Sequence, residues 1–229
     1  MQGVLLIDKP KGWTSFDVVN YVRKQVAALE GKKPKNCKVG HAGTLDPLAT
    51  GLLVLMIGKE YTRRSAELSK HDKTYVVTMK LGETSTTGDD EGEKNPVSTR
   101  IPSKSEVEKA LQSFEGESMQ IPPAYSAIKI HGQRAYKLAR TGKPVELEPR
   151  RVTIYKTQLT EYSYPFVHFM CDVSSGTYVR SLVEDIGAQL GTGAYMSDLQ
   201  RTRVGEYKLD MATGVDDDNF VSHVFEIVT

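Results

Sequence analysis

Asp46 lies in the stretch of this sequence whose composition most suggests chemistry. Gly40-His-Ala-Gly-Thr-Leu-Asp-Pro-Leu-Ala-Thr-Gly51 sets it among Gly40, Gly43 and Gly51 and directly before Pro47. Proline disfavours helical backbone in the residue before it, so Asp46 is held extended, with its carboxylate available to point out of the turn. A carboxylate so placed suits nucleophilic or proton-transfer work. Asp-Pro is also a common turn dipeptide, and the residue types alone leave both readings open. Other chemistries fit less well. A phosphate-binding loop needs GxxxxGK and then Ser or Thr, but Gly51 and Gly58 are too far apart and Lys59 is followed by Glu60. Gly191-Thr-Gly193 follows a helical pattern where a dinucleotide fingerprint would open one. The histidines at 41, 71, 131, 168 and 223 never fall in HxxxH or HExxH spacing, and Cys37 and Cys171 form no CxxC. No metal is assigned, and both cysteines read as thiols.

The elements that must position Asp46 follow from the apolar pattern. Residues 3–8 read as a buried strand ended by Pro10 and Gly12, and Thr14 or Ser15 then caps a helix with Val19, Val22, Val26 and Leu29 on one face. A strand over 52–57 leaves the glycine-rich turn. Tyr75, Val77 and Met79 alternate with polar neighbours in the next strand, which stops at Gly82. Residues 83–99, polar, acidic and turn-rich, read as a surface loop. Ser103 caps a helix to about 114; a strand at 124–130, a short basic helix at 134–141 and strands at 151–161 and 166–173 follow. Val179, Leu182, Val183, Ile186 and Leu190 share one face of a helix over 177–190, and 194–208 is a last strand region. Without a regular βαβ rhythm, the expected class is α+β with a mixed, mostly antiparallel sheet flanked by helices.

At 229 residues one domain spanning 1–229 is expected. No apolar run reaches the roughly 20 residues of a membrane span, and the N-terminus lacks the pattern of a secretory signal, so a cytoplasmic protein with no membrane association is expected. Formal net charge is only +1, yet basic residues concentrate at 23–38 and 129–156 while acids gather at 83–93 and 216–218. Such segregation builds a basic face on a neutral protein, as nucleic-acid binding requires; solvated surface is the alternative.

The twelve residues 40–51 resemble the catalytic motif of the TruB-type tRNA pseudouridine synthases. Four further blocks resemble the same family in its order: Gly-Val-Leu-Leu-Ile-Asp-Lys-Pro-Lys-Gly at 3–12; Lys-Thr-Tyr at 73–75, running to Leu-Gly at 81–82; Pro-Pro-Ala-Tyr-Ser-Ala-Ile-Lys at 122–129; and Ser-Gly-Thr-Tyr-Val-Arg-Ser-Leu at 175–182. The resemblance implies a pseudouridine synthase fold and roles residue by residue. Asp46 falls on the nucleophile, Tyr75 on the tyrosine that stacks against the target base, and Arg180 on the arginine that pairs with the aspartate. His41, Tyr178 and Leu199 fall on residues that line the pocket or hold the flipped nucleotide. Lys9, with Pro10, falls on a supporting pair.

Residues 121–150 resemble the family's RNA-gripping thumb, with Lys129, Arg134, Lys137, Arg140 and Lys143 as backbone contacts. The implied substrate is the uridine at position 55 in the TΨC stem-loop of tRNA. The implied enzyme needs no cofactor or protein partner and acts as a monomer. The C-terminal PUA domain that many members carry is not expected in the stretch after residue 210, and 83–99 matches no family motif. The alternatives are the catalytic subunit of a guide-RNA-directed pseudouridylation complex and a catalytically silent RNA-binding module.

Overall fold

The computed structural model describes every residue except 127, 131, 140, 142–144, 218–219 and 226–229. Two compact units divide it: residues 1–76 with 199–229, and residues 77–198.

The first unit begins with β1 (Gly3–Lys9), α1 (Ser15–Leu29), β2 (Val39–His41), β3 (Thr50–Ile57), α2 (Lys59–Arg63), α3 (Ser65–Leu68) and the start of β4 (Lys73–Leu81). The rest of β4 opens the second unit. It continues through β5 (Glu83–Ser85), β6 (Lys94–Pro96), α4 (Lys104–Ser113), β7 (Gly116–Gln120), β8 (Lys129–Ile130), β9 (Gln133–Arg134), α5 (Ala135–Ala139), β10 (Arg150–Ser163), β11 (Phe166–Val173), α6 (Val179–Gln189) and the first part of β12 (Ala194–Val204). The end of β12, with β13 (Tyr207–Lys208) and β14 (Thr213–Gly214), belongs to the first unit.

In the first unit the strand order is β14-β1-β3-β12. β1 and β3 are antiparallel, with Ile7 opposite Leu53, whereas β12 runs parallel to β3, with Arg201 opposite Gly51. Both central strands are apolar without alternation because both of their faces are covered. Leu5, Ile7, Leu53, Leu55 and Ile57 pack with Val18, Val19, Val22 and Val26 of α1. Val4, Leu6, Leu52, Val54 and Met56 pack with Tyr61, Leu68, Val204 and Tyr207. A capping box starts α1: the Thr14 hydroxyl accepts from the Asp17 backbone N–H at 3.0 Å, and the Asp17 carboxylate accepts from the Thr14 N–H at 2.8 Å.

In the second unit the order is β4-β11-β10-β7, with β10 and β11 a long antiparallel pair. α4, capped by Ser103 in a box with Glu106, packs on β10 and reaches α6. The mixed, mostly antiparallel sheet with helices is the α+β class expected.

Three local expectations change. The region 194–208 is a hairpin, not one strand: Gly205 takes a positive φ of 57° and β13 folds back on β12, with Val204 opposite Tyr207. Where a strand was expected at 124–130, only Lys129–Ile130 pair, with β9, and Ala127 lies outside the described residues. The acidic segment 83–99 is not merely surface: β5 and β6 pair across it, and Ser85 and Asp89 are buried.

Candidate active site

Asp46 lies half-buried in the turn between β2 and β3. The turn is tight: Ala49 N–H donates to the Asp46 carbonyl at 3.1 Å and Gly12 N–H to the Pro47 carbonyl at 2.8 Å. Gly51 is required by space as well as by angle: it has φ 95°, and a Cβ there would come within 2.4 Å of the Arg201 carbonyl on the parallel strand.

Lys9, at the end of β1, is 0% exposed. Its ammonium donates to the carbonyls of Trp13 at 2.6 Å, Pro10 at 2.9 Å and Pro47 at 3.4 Å. Burial lowers its pKa to about 8, against the opposing pull of the negative charge on Asp46, while the positive charge of Arg201 lowers it further. Lys9 therefore ties the N-terminal segment to the residue after Asp46, and its charge interacts with the carboxylate. Asp8, beside it, has its pKa raised by burial, partly countered by a hydrogen bond from the Gly51 N–H. Also in this unit, His41 ends β2 half-buried, Tyr75 is buried on β4 and Leu199 is buried on β12.

The start of α6 in the second unit carries the other candidates. Tyr178 is its N-cap, and the side-chain amide of Gln120 fixes it from both sides: Oε1 accepts from the Tyr178 N–H at 2.8 Å and Nε2 donates to the Tyr178 carbonyl at 3.1 Å. Two residues on, Arg180 points into protein. Its Nη1 donates to the Thr87 carbonyl at 3.0 Å and its Nη2 to the Tyr125 carbonyl at 2.7 Å, and Nη1 lies 3.4 Å from Asp89 Oδ2. Asp89 is in turn held by the Thr87 hydroxyl and by the Glu91 N–H at 3.1 Å, both on Oδ1. A hydrogen-bonded carboxylate and two carbonyls thus orient one guanidinium.

Lys129 and Arg134 are exposed and directly opposite each other on β8 and β9, and Lys137 follows on α5. Arg140 and Lys143 lie outside the described residues. Among the described residues, no cluster of His, Cys, Asp or Glu could hold a metal ion, and no helix is long and apolar enough to cross a membrane.

Sequence reasoning missed Asp89, because it sits in a segment whose polarity read as solvated. It also missed Ser15 and Arg201, buried polar residues that bond to the Asp46 turn. The signal available for Arg201 was a charge next to Leu199 in a strand pattern, which an exposed arginine would produce equally.

The first unit offers a carboxylate in a tight turn, a buried ammonium whose charge acts on it and a buried tyrosine ring; the second offers a guanidinium held by Asp89 and two carbonyls. Residues 31–179 match the model of the TruB family pseudouridylate synthase N-terminal domain, and residues 180–219 that of the tRNA pseudouridylate synthase B C-terminal domain. A tRNA pseudouridine synthase B of Protochlamydia amoebophila is 42% identical over 210 residues, covering 92% of this chain and 77% of the relative. One of Bacteroides fragilis is 46% identical over 208 residues, covering 90% and 88%. Among solved structures, a chain of a Cbf5-Nop10-Gar1 complex superposes with a TM-score of 0.69 at 30% identity over 94% of this chain; the match spans 53% of that longer chain. With the family match running through the Asp46 turn, and relatives above 40% identity over nine-tenths of its length, this chain belongs to the TruB family of pseudouridylate synthases.

Proposed function

We propose that this chain is a tRNA pseudouridine synthase that isomerises the uridine at position 55 of the TΨC loop, with Asp46 as nucleophile. The observation that carries the reading is the Asp46-Pro47 turn, anchored by the buried ammonium of Lys9 in a chain of this family. The reaction breaks the bond from ribose C1′ to base N1, turns the base and joins C1′ to C5. The C5 proton leaves and N1 gains one, so composition is unchanged and no redox partner or cofactor is required. Asp46 can attack C1′, add to the base, or remove a proton to open a glycal route. Each role needs an ionised carboxylate, which nearby cations favour. Arg180 is assigned as the cation that pairs with it, oriented by Asp89.

A stacked uridine must be flipped out at a cost of about a few kcal/mol. Tyr75 offsets this by stacking on the base, a contact of roughly 1–3 kcal/mol. His41, Tyr178 and Leu199 are assigned to the pocket wall around the flipped nucleotide. Lys129, Arg134 and Lys137, with Arg140 and Lys143, are assigned to phosphates, which position the RNA without reading sequence. The protein is read as one catalytic domain acting as a cytoplasmic monomer.

The test is to incubate the protein with unmodified tRNA and map pseudouridine. Modification at position 55 is expected, and Asp46→Asn should lower the rate by at least about ten-thousandfold, or about 5.5 kcal/mol, with RNA affinity preserved. Absence of pseudouridine, or an Asn variant within about tenfold of the parent rate, would overturn the assignment. The resemblance to a Cbf5-Nop10-Gar1 complex motivates a second reading as a guide-directed catalytic subunit. Turnover of tRNA alone, with no guide RNA or added protein, discriminates against it.

A further inference from the structure

Two side chains that the proposed chemistry does not use hold the turn on either side of Asp46. Ser15, the first residue of α1, is 2% exposed. Its hydroxyl oxygen accepts from the Leu45 N–H at 2.8 Å and donates to the Leu45 carbonyl at 2.9 Å. One side chain therefore satisfies both backbone groups of the residue preceding Asp46. Both groups are buried, and each would lose its partner together if the hydroxyl were removed.

Arg201, on β12, is 1% exposed. Its Nε donates to the Leu52 carbonyl at 2.8 Å and its Nη2 to the Gly43 carbonyl at 3.1 Å, so one planar group spans the two ends of the segment that contains Asp46. Removing a guanidinium from water is expensive. Burial lowers the pKa of both Lys9 and Lys73 to about 8, and the charge of Arg201 opposes these two buried cations further. An apolar side chain would fill the same space without that opposition. What only the guanidinium supplies is the pair of bonds to Gly43 and Leu52.

We infer that Ser15 and Arg201 are positioning residues for Asp46, one fixing the backbone immediately before the carboxylate and the other fixing the separation of the turn's ends. The inference rests on the reading of Asp46 as nucleophile. Attack needs the reacting atoms within about 3–3.5 Å, and a misplacement of about 1 Å costs on the order of a hundredfold in rate. Neither residue needs to touch the uridine to control that distance.

The experiment compares Ser15→Ala, Ser15→Thr, Arg201→Lys and Arg201→Met in the full chain. It reads kcat on unmodified tRNA, Kd for the same RNA, and hydrogen exchange at the Leu45 amide. Ser15→Ala should lower kcat by about ten- to a hundredfold, leave Kd within about twofold, and speed exchange at Leu45 by at least about tenfold. Ser15→Thr keeps the hydroxyl and should restore both readouts. If its added methyl group prevents folding, the arginine pair supplies the comparison, with Arg201→Lys retaining more kcat than Arg201→Met because it keeps a donor.

Unchanged exchange at Leu45 in Ser15→Ala would overturn the inference, as would kcat and RNA affinity falling in step across the variants. If the parent protein leaves tRNA unmodified, the functional reading fails, and Leu45 exchange still decides whether Ser15 holds the turn.

Discussion

Arg180 Nη1 lies 3.4 Å from Asp89 Oδ2, and both side chains are only 6% exposed. Breaking a buried pair by removing one partner is strongly destabilising, at about 3–5 kcal/mol, because it strands the other charge. Asp89→Ala should therefore cost stability of that order in urea denaturation. It should also lower kcat, because Arg180 keeps its carbonyl contacts but loses a carboxylate that orients it. A variant with parental stability and turnover would show that the pair contributes to neither.

Tyr75 is expected to combine two functions that substitution separates. Tyr75→Phe keeps the ring and should retain RNA affinity within about twofold, since stacking, worth about 1–3 kcal/mol per base, survives. If the hydroxyl takes the C5 proton, kcat falls in the same variant. Tyr75→Leu should weaken binding and rate together. Equal turnover of Phe and parent proteins would limit Tyr75 to stacking.

How far the sequence reached is clearest at these sites. Most of the longer strands and helices, the helix caps at Thr14 and Ser103 and the glycine-rich turn were legible because each depends on neighbours in sequence: an apolar period, a capping box, a proline after Asp46. Asp89 was hidden because its polar segment looks like any solvated loop until Arg180, 91 positions further on, is brought against it. Ser15 was hidden for a related reason. A serine at the start of a helix reads as a cap, yet Thr14 performs that function, and the Ser15 hydroxyl turns to Leu45 instead. Gly205 was the one local signal passed over: a glycine inside an apparent strand marks a turn as readily as a bulge.

Lys9 gives stability a pH dependence whose sign follows from its depressed pKa. Folded, it loses its proton near pH 8; unfolded, near about 10.4. Below pH 8 both states are protonated, and the penalty of burying the ammonium is fully present. Between the two values the unfolded state holds more protons, so stability rises with pH, by at most about 3 kcal/mol for this group. Lys73, also lowered to about 8, adds a similar gain. Lys9→Met should therefore show a smaller rise in unfolding free energy from about pH 7.5 to 10 than the parent does. Equal rises in the two proteins, measured by urea denaturation, would contradict a depressed Lys9 pKa.

RNA binding through the basic segment should be read in its salt dependence. Lys129 and Arg134 are exposed and paired across β8 and β9, and Lys137 follows within one short helix, so three cations share one small structure. Each phosphate neutralised contributes about −0.9 to the slope of log affinity against log salt on duplex, and about −0.7 on single strands. Replacing all three by alanine should make the slope shallower by roughly two to three and weaken every RNA alike, because phosphate contacts carry no sequence information. The rate on saturating tRNA should change far less than the affinity, since these side chains are assigned to phosphates and not to the uridine. Fluorescence anisotropy titrations of a TΨC stem-loop and of an unrelated hairpin, across a salt series, make the measurement. An unchanged slope would remove this segment from the RNA interface, and a loss confined to the TΨC stem-loop would mean that these residues read sequence.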